Sequence, residues 1–323
     1  MKTALITGVT GQDGAYLAKL LIEKQYKVYG FIPRRVNQNL YNLDYFNITN
    51  KINFIFGDLT DYSSINNAIK QVRPDELYNL GAMSFVGLSW DQPLYTTQVN
   101  GLGCLHFLEA VKNFSPNTKV YQASTSEMFG NNWDKDYTQR EDTNFRPRSP
   151  YGTSKTFAHQ SCVNYRESYG LFTSCGILFN HESPLRGKEF VTRKITDGIA
   201  KIKKGLESKI FLGNLDAKRD WGFAGDYVEA MWKMLQHTEG DDFIIATNTA
   251  WSIRDFLSIA CQKAEIDDWE SIVSIDPRFI RPAEVPYLKG DYSKAKKVLG
   301  WEPKMAFPDL VALMMEEDLK RYE

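Results

Sequence analysis

A tyrosine and a lysine four residues apart, with a glutamate upstream, are the residues of this chain best suited to chemistry. Tyr151 and Lys155 lie on one face of a predicted helix. A neighbouring ammonium favours the phenolate and lowers a tyrosine pKa that is otherwise about 10. Such a phenol can take a proton from a sugar hydroxyl while a nicotinamide accepts the hydride. Glu127, in Thr125-Ser126-Glu127, adds a second acid/base that can remove a carbon-bound proton and expel water. The pattern predicts oxidation and elimination at one site.

Alternating strand and helix patterns must position these residues. The alternation predicts right-handed βαβ units and an α/β fold, a doubly wound parallel sheet of the Rossmann type. The predicted strands are 3–7, 27–32, 52–56, 76–79, 119–123, 172–177 and 242–246. The predicted helices are 15–23, 62–71, 95–112, one that begins near 151, then 225–236, 253–263 and 308–322.

The character of the chain changes after residue 180, where Pro, Gly and charged residues become frequent. We expect a smaller, discontinuous C-terminal lobe that binds substrate and closes over the strand ends. The predicted division assigns 1–178 and about 216–249 to the dinucleotide-binding unit. It assigns about 179–215 and 250–323 to the substrate lobe.

A glycine-rich turn joins the first predicted strand to the first helix. In Thr7-Gly8-Val-Thr-Gly11-Gln-Asp-Gly14, glycines permit a tight turn and a close approach of a pyrophosphate, whose charge then meets the helix N-terminus. The turn alone is a weak signal, but its place in a βαβ series predicts a dinucleotide site. The predicted cofactor-binding residues are Gly8, Thr10, Gly11, Gln12, Asp13, Gly14, Arg34, Arg35, Asp58, Leu59, Leu80, Tyr151 and Lys155.

The end of the second predicted strand indicates which cofactor binds. An acid here contacts the ribose 2′-hydroxyl of NAD, whereas an arginine accommodates the 2′-phosphate of NADP. Arg34 and Arg35 stand here without an acid and favour NADP, although a solvated basic loop is the alternative. Asp58 is expected beside the adenine, with an exposed turn as the competing interpretation.

Composition excludes several classes of protein. The 323 residues are 43% hydrophobic and 24% charged, with a formal net charge of −1 that gives no reason to expect a nucleic-acid or membrane partner. No metal is expected, because the four histidines form no HxxH pair. We also expect a cytoplasmic protein, because the sequence has no targeting segment and no long apolar run. Buried free thiols are predicted at Cys104, Cys162, Cys175 and Cys261.

Longer stretches of the chain resemble a known family. The sequence resembles the extended short-chain dehydrogenase/reductases, and within them the GDP-mannose 4,6-dehydratase family. The likeness runs nearly from end to end. Two motifs are especially specific, Asn180-His-Glu-Ser-Pro-Leu-Arg-Gly187 and Ala217-Lys-Arg-Asp-Trp-Gly-Phe-Ala-Gly-Asp226, because they occur together with Thr-Ser-Glu.

The resemblance implies a role for each catalytic residue. Tyr151 takes the proton of the sugar O4 while C4 gives a hydride to NADP, and Lys155 lowers the Tyr151 pKa and holds the nicotinamide ribose. Thr125 hydrogen-bonds O4, and Ser126 orients the hexose. Glu127 removes the C5 proton and assists departure of the C6 hydroxyl as water. The hydride then returns to C6, giving a 4-keto-6-deoxy sugar, so the cofactor is expected to be tightly bound and recycled within each turnover.

The resemblance also implies how a GDP-linked sugar binds in the second lobe. Arginines there would meet the pyrophosphate through charge-assisted hydrogen bonds. The alternative is that Arg219–Asp220 and Arg281–Glu284 are ion pairs of the surface, which contribute little. The substrate-binding residues that the likeness implies are Met83, Ser84, Asn180, Glu182, Arg186, Val191, Lys194, Arg219, Arg281 and Glu284.

Two features depart from the family pattern. Met83 stands where GDP-mannose enzymes carry Gln, which removes an amide near the expected sugar and favours GDP-D-glycero-D-manno-heptose as a variant substrate. Arg35 is followed by Val36-Asn37 in place of Ser-Ser. In relatives the loop that continues to Leu43 reaches a neighbouring subunit, so a homodimer and a homotetramer both stay open. A place in polysaccharide biosynthesis is expected.

Two other functions compete with dehydration. A nucleotide-sugar 4-epimerase or 4-ketoreductase would use Tyr151 and Lys155 but needs no acid at position 127. A regulator that senses NADP would keep the fold without turnover. The presence of Thr125 and Glu127 beside the Tyr-Lys pair favours the dehydratase.

Overall fold

A parallel sheet forms the centre of the molecule. A computed structural model describes residues 1–279 and 283–323. In these residues the order of the seven-stranded sheet is β10-β6-β5-β4-β1-β2-β3, and every neighbouring pair is parallel. Its strands are β1 (Thr3–Thr7), β2 (Lys27–Ile32), β3 (Ile52–Phe56), β4 (Glu76–Asn79), β5 (Lys119–Thr125), β6 (Thr173–Leu178) and β10 (Asp242–Ile245). The predicted doubly wound fold is confirmed.

Helices cover both faces of this sheet. In β1, Ala4 and Ile6 face one hydrophobic cluster with α1 and α9, whereas Leu5 faces another with α3, α6 and α7, as the alternation of side chains along a strand requires. The helices of this part are α1 (Gln12–Glu23), α2 (Tyr41–Tyr45), α3 (Tyr62–Val72), α4 (Leu88–Asp91), α5 (Pro93–Thr97), α6 (Gly103–Phe114), α7 (Pro150–Tyr169), α9 (Ala224–Gln236) and α11 (Ser293–Leu299).

Short strands and three helices build a second lobe. Strand β9 pairs in parallel with β7 and antiparallel with β11, and β8 pairs with β12. The elements are β7 (Asn180–Glu182), α8 (Val191–Lys203), β8 (Ile210–Leu212), β9 (Lys218–Phe223), β11 (Ala250–Ser252), α10 (Ile253–Lys263), β12 (Val273–Ile275) and α12 (Phe307–Lys320). Buried Trp221 stacks on Phe307 at 5.7 Å, so the lobe has its own aromatic core.

Several details differ from the predictions. The predicted helix 95–112 is interrupted by a π-helical turn, Gln98–Leu102, and β5 continues two residues further to Thr125. A helix also forms where the sequence suggested only a loop, and there Asn42 donates a hydrogen bond to the Thr10 carbonyl at 2.9 Å. This contact lies far away in the sequence, so no local pattern reveals it.

The predicted division of the chain meets two contrary observations. Strand β9 lies within the range assigned to the dinucleotide-binding unit but pairs with strands of the second lobe. Ala295 and Trp301, assigned to the substrate lobe, are buried in the cluster that contains α9 and β1. The division into two units otherwise stays a prediction. Among the described residues, none of the helices has both the length and the apolar character needed to span a membrane.

Candidate active site

A large cleft opens at the carboxyl ends of the central strands, where doubly wound folds bind ligands. Its volume is about 1230 Å³, and residues of the second lobe form the opposite wall. The predicted site residues that line it are Gly8, Thr10, Gly11, Gln12, Asp13, Gly14, Arg35, Asp58, Leu59, Leu80, Met83, Ser84, Thr125, Ser126, Glu127, Tyr151, Lys155, Asn180, Glu182, Arg186, Val191, Lys194, Arg219 and Glu284. Arg34 is exposed outside this lining, and Arg281 lies outside the described residues.

Two adjoining elements carry the predicted catalytic residues. Strand β5 ends at Thr125, whose hydroxyl accepts a hydrogen bond from the Glu127 amide at 3.3 Å and so caps the short turn Ser126–Met128. Helix α7 begins with a proline at its first position and Ser149 as N-cap, which accepts from the Gly152 amide at 3.0 Å. A Cβ at Gly152 would lie 2.8 Å from the Glu127 carbonyl. This close approach holds the turn against the first residues of α7.

Burial controls the ionisation of Tyr151. Burial raises its pKa to about 12, while a hydrogen bond from Thr125 and the charge of Arg186 lower it and the charge of Glu127 raises it. Lys155 instead donates a hydrogen bond to the Ala123 carbonyl at 2.9 Å, and its Nζ lies 6.0 Å from the centre of the Tyr151 ring. In this arrangement burial outweighs the interactions that lower the Tyr151 pKa, and the lowering of that pKa by Lys155 stays a prediction.

The glycine turn has the shape that a pyrophosphate needs. Gly8 has a φ of 67°, and a Cβ at Gly14 would lie 2.2 Å from the Gly8 carbonyl oxygen, so positions 8 and 14 of this turn favour glycine. Asp13 pairs with His181 at 2.7 Å. Although burial acts in the opposite direction, His181 holds the pKa of Asp13 below its ordinary value. These residues fit a dinucleotide, whose phosphates would meet main-chain amides at the start of α1.

Two neighbouring arginines differ in position at the end of the cleft that is predicted to hold the adenosine. Arg35 lines the cleft, whereas Arg34 does not. The Asp58 carboxylate accepts hydrogen bonds from the Thr60 amide at 2.8 Å and the Thr60 hydroxyl at 2.7 Å. The loop around Asp58 is thereby fixed without a ligand.

Charged and aromatic side chains alternate along the wall formed by the second lobe. Glu182 accepts a hydrogen bond from Thr192 at 2.6 Å, and Arg186 Nε lies 3.1 Å from the same carboxylate oxygen. This buried Nε has no hydrogen bond of good geometry within the described part of the chain. The Arg186 guanidinium lies 3.6 Å from the ring centre of Phe190. Its orientation fits an anionic ligand in the cleft.

Arg219 and Asp220 do not behave as residues of the surface. Arg219 is only 7% exposed and contacts Glu284 at 3.3 Å inside the cleft. Asp220 is fully buried and accepts hydrogen bonds from Thr247 and Gly290. The interpretation of Arg219 and Asp220 as an ion pair of the surface is therefore wrong. The same interpretation of Arg281 and Glu284 depends on Arg281, which lies outside the described residues.

The sequence analysis missed some residues that line the cleft or support its lining from behind. Phe279 packs against Lys194, whose Nζ lies 3.3 Å from the ring centre, and no local pattern marks it. Asn100 holds the main chain of Met83 by accepting from its amide at 2.8 Å and donating to its carbonyl at 3.1 Å. His181 lies within a quoted motif, but only the structure shows its contact with Asp13.

Comparisons with known proteins fit this geometry. The profile of GDP-mannose 4,6 dehydratase matches residues 5–314. The chain is 49% identical to GDP-mannose 4,6 dehydratase 1 of Arabidopsis thaliana, covering 99% of the chain and 90% of that protein. It is 45% identical to GDP-mannose 4,6-dehydratase of Vibrio cholerae, covering 99% and 94%. The chain belongs to the GDP-mannose 4,6 dehydratase family. The predicted membership of this family and the predicted hydro-lyase class are confirmed.

Solved structures share the fold at lower identity. UDP-glucose 4-epimerase of Thermotoga maritima superimposes with a TM-score of 0.87 at 24% identity and covers 99% of this chain and 100% of its own. dTDP-glucose 4,6-dehydratase of Bacillus anthracis, in complex with NAD, gives 0.86 at 21% identity, covering 99% and 97%. At these identities the likeness supports the fold, and the residues of the cleft must distinguish the reactions.

The four cysteines lie away from this cleft, buried and free as predicted. Cys175 approaches His159 and Asp242, with candidate ligand atoms within 4.8 Å of one another. Arg166 donates to both oxygens of the Asp242 carboxylate, at 3.1 and 2.9 Å. The carboxylate is therefore already paired with a positive charge.

The buried ammonium of Lys155 predicts a pH-dependent stability. Burial lowers its pKa from 10.5 to about 8, so between these values the unfolded chain binds more protons than the folded one. Stability should then rise with pH through this window. Between pH 7.5 and pH 9.5 the free energy of unfolding of the nucleotide-free wild-type protein should rise by about 2 kcal/mol more than that of Lys155→Met. Urea denaturation of both proteins at the two pH values measures this difference, and an equal change in both would contradict it.

Proposed function

We propose that this enzyme converts GDP-mannose to the GDP-4-keto-6-deoxy sugar, using a nicotinamide cofactor. The observation that carries the proposal is that Glu127 and Tyr151 line the same cleft as the glycine turn. Glu127 lies close enough to raise the pKa of the Tyr151 phenol. A carboxylate and a phenol that act on one hexose can perform both elimination and oxidation.

The roles of the residues follow from their positions. A bound nicotinamide would supply the hydride chemistry, by accepting a hydride from C4 of the sugar and returning a hydride to C6. Tyr151 takes the O4 proton, and Thr125 stabilises the phenolate by its hydrogen bond. Lys155, held by the Ala123 carbonyl, orients the ribose of the cofactor. Ser126 orients the sugar. Once C4 is a ketone the C5 proton is acidic, so Glu127 can remove it and protonate the departing C6 hydroxyl.

Removal of the carboxylate should separate elimination from oxidation. In Glu127→Gln, dehydration of GDP-mannose should fall about 10²- to 10⁴-fold because the base for C5 is lost, while some C4 oxidation persists. With deuterium at C4, mass spectrometry should locate the label at C6 of the wild-type product. Glu167→Gln, at an exposed position near the end of α7, serves as the control and should dehydrate normally. Undiminished dehydration by Glu127→Gln would contradict the role of Glu127 as the base, whereas turnover of GDP-mannose by wild type without loss of water would favour an epimerase or ketoreductase.

The finer identity of the cofactor is proposed to be NADP. Arg35 lines the cleft beyond β2, where its guanidinium can pair with a 2′-phosphate. Arg35→Ala should weaken binding of NADP⁺ about tenfold or more and leave NAD⁺ nearly unaffected, because a charge-assisted contact is lost. Calorimetric titration of both dinucleotides measures the ratio. Arg34→Ala is the matched control, and an equal loss in that variant would contradict the assignment to Arg35.

The second lobe is proposed to hold the GDP portion of the substrate. Arg186, Lys194 and Arg219 line this wall and give it positive charge, although the chain as a whole has a net charge of −1. Asn180 and Val191 complete the wall beside Glu182 and Glu284. Met83 also lines the cleft, and GDP-D-glycero-D-manno-heptose as a variant substrate stays a prediction from that residue.

Self-association is proposed to use the face formed by α5, the π-helical turn and α7. Leu94, Leu102 and Phe157 expose 80%, 40% and 44% of their surface there. A Cβ at Gly101 would lie 3.1 Å from the Phe157 ring, which places the turn and α7 side by side. Leu94→Glu should reduce a dimer or tetramer to smaller species in sedimentation velocity, because a charge is costly in an apolar interface. Leu206→Glu, at a similarly exposed leucine elsewhere, should not, and an unchanged Leu94→Glu assembly would contradict the proposed face.

A further inference from the structure

Residues 181–187, which comprise the end of β7 and the start of the loop that leads to α8, contact both halves of the cleft. On one side they bind the first turn of α1. Ser183 Oγ donates to Gln12 Oε1 at 2.8 Å, and Gln12 Nε2 donates to the His181 carbonyl at 3.1 Å. His181 Nε2 lies 2.7 Å from Asp13 Oδ2. Gln12 and Asp13 directly follow the glycine turn, so the segment is attached to the proposed dinucleotide site.

The other side of the segment is attached to α8 and α12. Arg193 and Arg321 each donate to the Pro184 carbonyl at 2.8 Å, and Arg193 also donates to the Arg186 carbonyl at 3.0 Å. Both guanidinium groups bind the fully buried Asp318, Arg193 through two hydrogen bonds. The main chain at 184–186 therefore cannot shift without disturbing a buried charge network.

The same segment carries two side chains that face the proposed substrate. Glu182 and Arg186 line the cleft, 3.1 Å apart, and Thr192 fixes the Glu182 carboxylate. Burial has the largest effect on the pKa of Asp13 and of Tyr151, and the charge of Arg186 makes a smaller contribution that acts to lower both. A change in the position of this segment would therefore alter the surroundings of the proposed sugar, of the proposed nucleotide and of the Tyr151 phenol.

Ser183 is a buried residue of this segment that hydrogen-bonds the first turn of α1 directly. It is fully buried, and its hydroxyl also accepts from the Leu185 amide at 3.1 Å and hydrogen-bonds Tyr16. Together with the contacts of His181, this side chain joins the first turn of α1 to the main chain that leads to Arg186. Ser183 does not line the cleft, so its effect on ligands must pass through Gln12 and the segment.

We propose that Ser183 is a positioning residue that couples the dinucleotide site to the nucleotide-sugar site. A dinucleotide on the glycine turn fixes Gln12, and Gln12 then fixes residues 181–187 through Ser183. Part of the conformational entropy lost in ordering the sugar site is thereby lost when the dinucleotide binds, so the sugar binds with a smaller entropic penalty. The coupling is reciprocal, so each ligand tightens the binding of the other by the same factor. This inference rests on the proposed function, because it assigns the two ligands to the two sides of the cleft.

The test compares the affinity for GDP with and without saturating NADP⁺, measured by calorimetry. Wild type should bind GDP at least about fivefold more tightly when NADP⁺ is present. In Ser183→Ala this ratio should fall to about half its wild-type value or less, because the hydrogen bond to Gln12 is lost while the contacts of His181 persist. A merely structural role would lower stability but leave the ratio unchanged. The control is Ser161→Ala, a buried serine of α7 whose hydroxyl bonds the Phe157 carbonyl of its own helix at 2.8 Å; it should keep the wild-type ratio.

The outcomes separate this inference from the proposed function. Tight binding of both ligands without coupling in wild type, or undiminished coupling in Ser183→Ala, would overturn the inference alone. Failure of wild type to bind GDP in any condition would overturn both proposals.

A measurement on the wild-type protein applies even if Ser183→Ala does not fold. NADP⁺ alone should slow hydrogen exchange at the amides of Leu185 and Arg186, which bond the hydroxyl and the carbonyl of Ser183. Unchanged exchange at these amides when NADP⁺ binds would contradict the coupling.

Discussion

Desolvation of the catalytic pair is the constraint on which the site depends. Burial shifts both groups toward their neutral forms, raising the pKa of Tyr151 to about 12 and lowering that of Lys155 to about 8. The fold must accept this cost because a hydride and a proton can be transferred cleanly only where water is excluded. It offsets part of the cost with a hydrogen bond from Thr125 to the phenol and with the charge of Arg186. Both partners reach Tyr151 from other elements, so the reactivity of α7 depends on β5 and on the second lobe.

The positive charges of the cleft obey the same constraint. Buried cations without partners would destabilise the fold, and each one that lines the second lobe has a neighbour in the structure. Glu182 lies beside Arg186, Glu284 beside Arg219, and the ring of Phe279 covers Lys194. A diphosphate that bound here, as proposed, would compete with Glu182 and Glu284 for the guanidinium groups. Such competition makes affinity depend on the geometry of the phosphates as well as on their charge. A site built in this way can select a nucleotide sugar in a chain with almost no net charge.

The part of the site that could be predicted from sequence is the part built by local patterns. Patterns of only a few residues predict the glycine turn, the apolar strands and the helix that carries Tyr151 and Lys155. The structure contains each of these elements at the predicted place. The second lobe is harder, because β9 pairs with strands near residues 181 and 251 and its neighbours have only three residues each. The ionisation of Tyr151 also escaped prediction, since helical spacing reveals a neighbour but not the depth of burial.

The π-helical turn shows why one long helix was an insufficient description of this region. A π-helical turn inserts an extra residue into a helix, and here it places the buried Asn100 toward the sheet. The Asn100 amide donates to Ser154 on α7 at 3.2 Å as well as binding the main chain of Met83. One side chain thus fixes the loop expected beside the sugar relative to the helix of Tyr151. The irregular turn therefore contains the residue whose side chain joins the loop of Met83 to the helix that carries Tyr151.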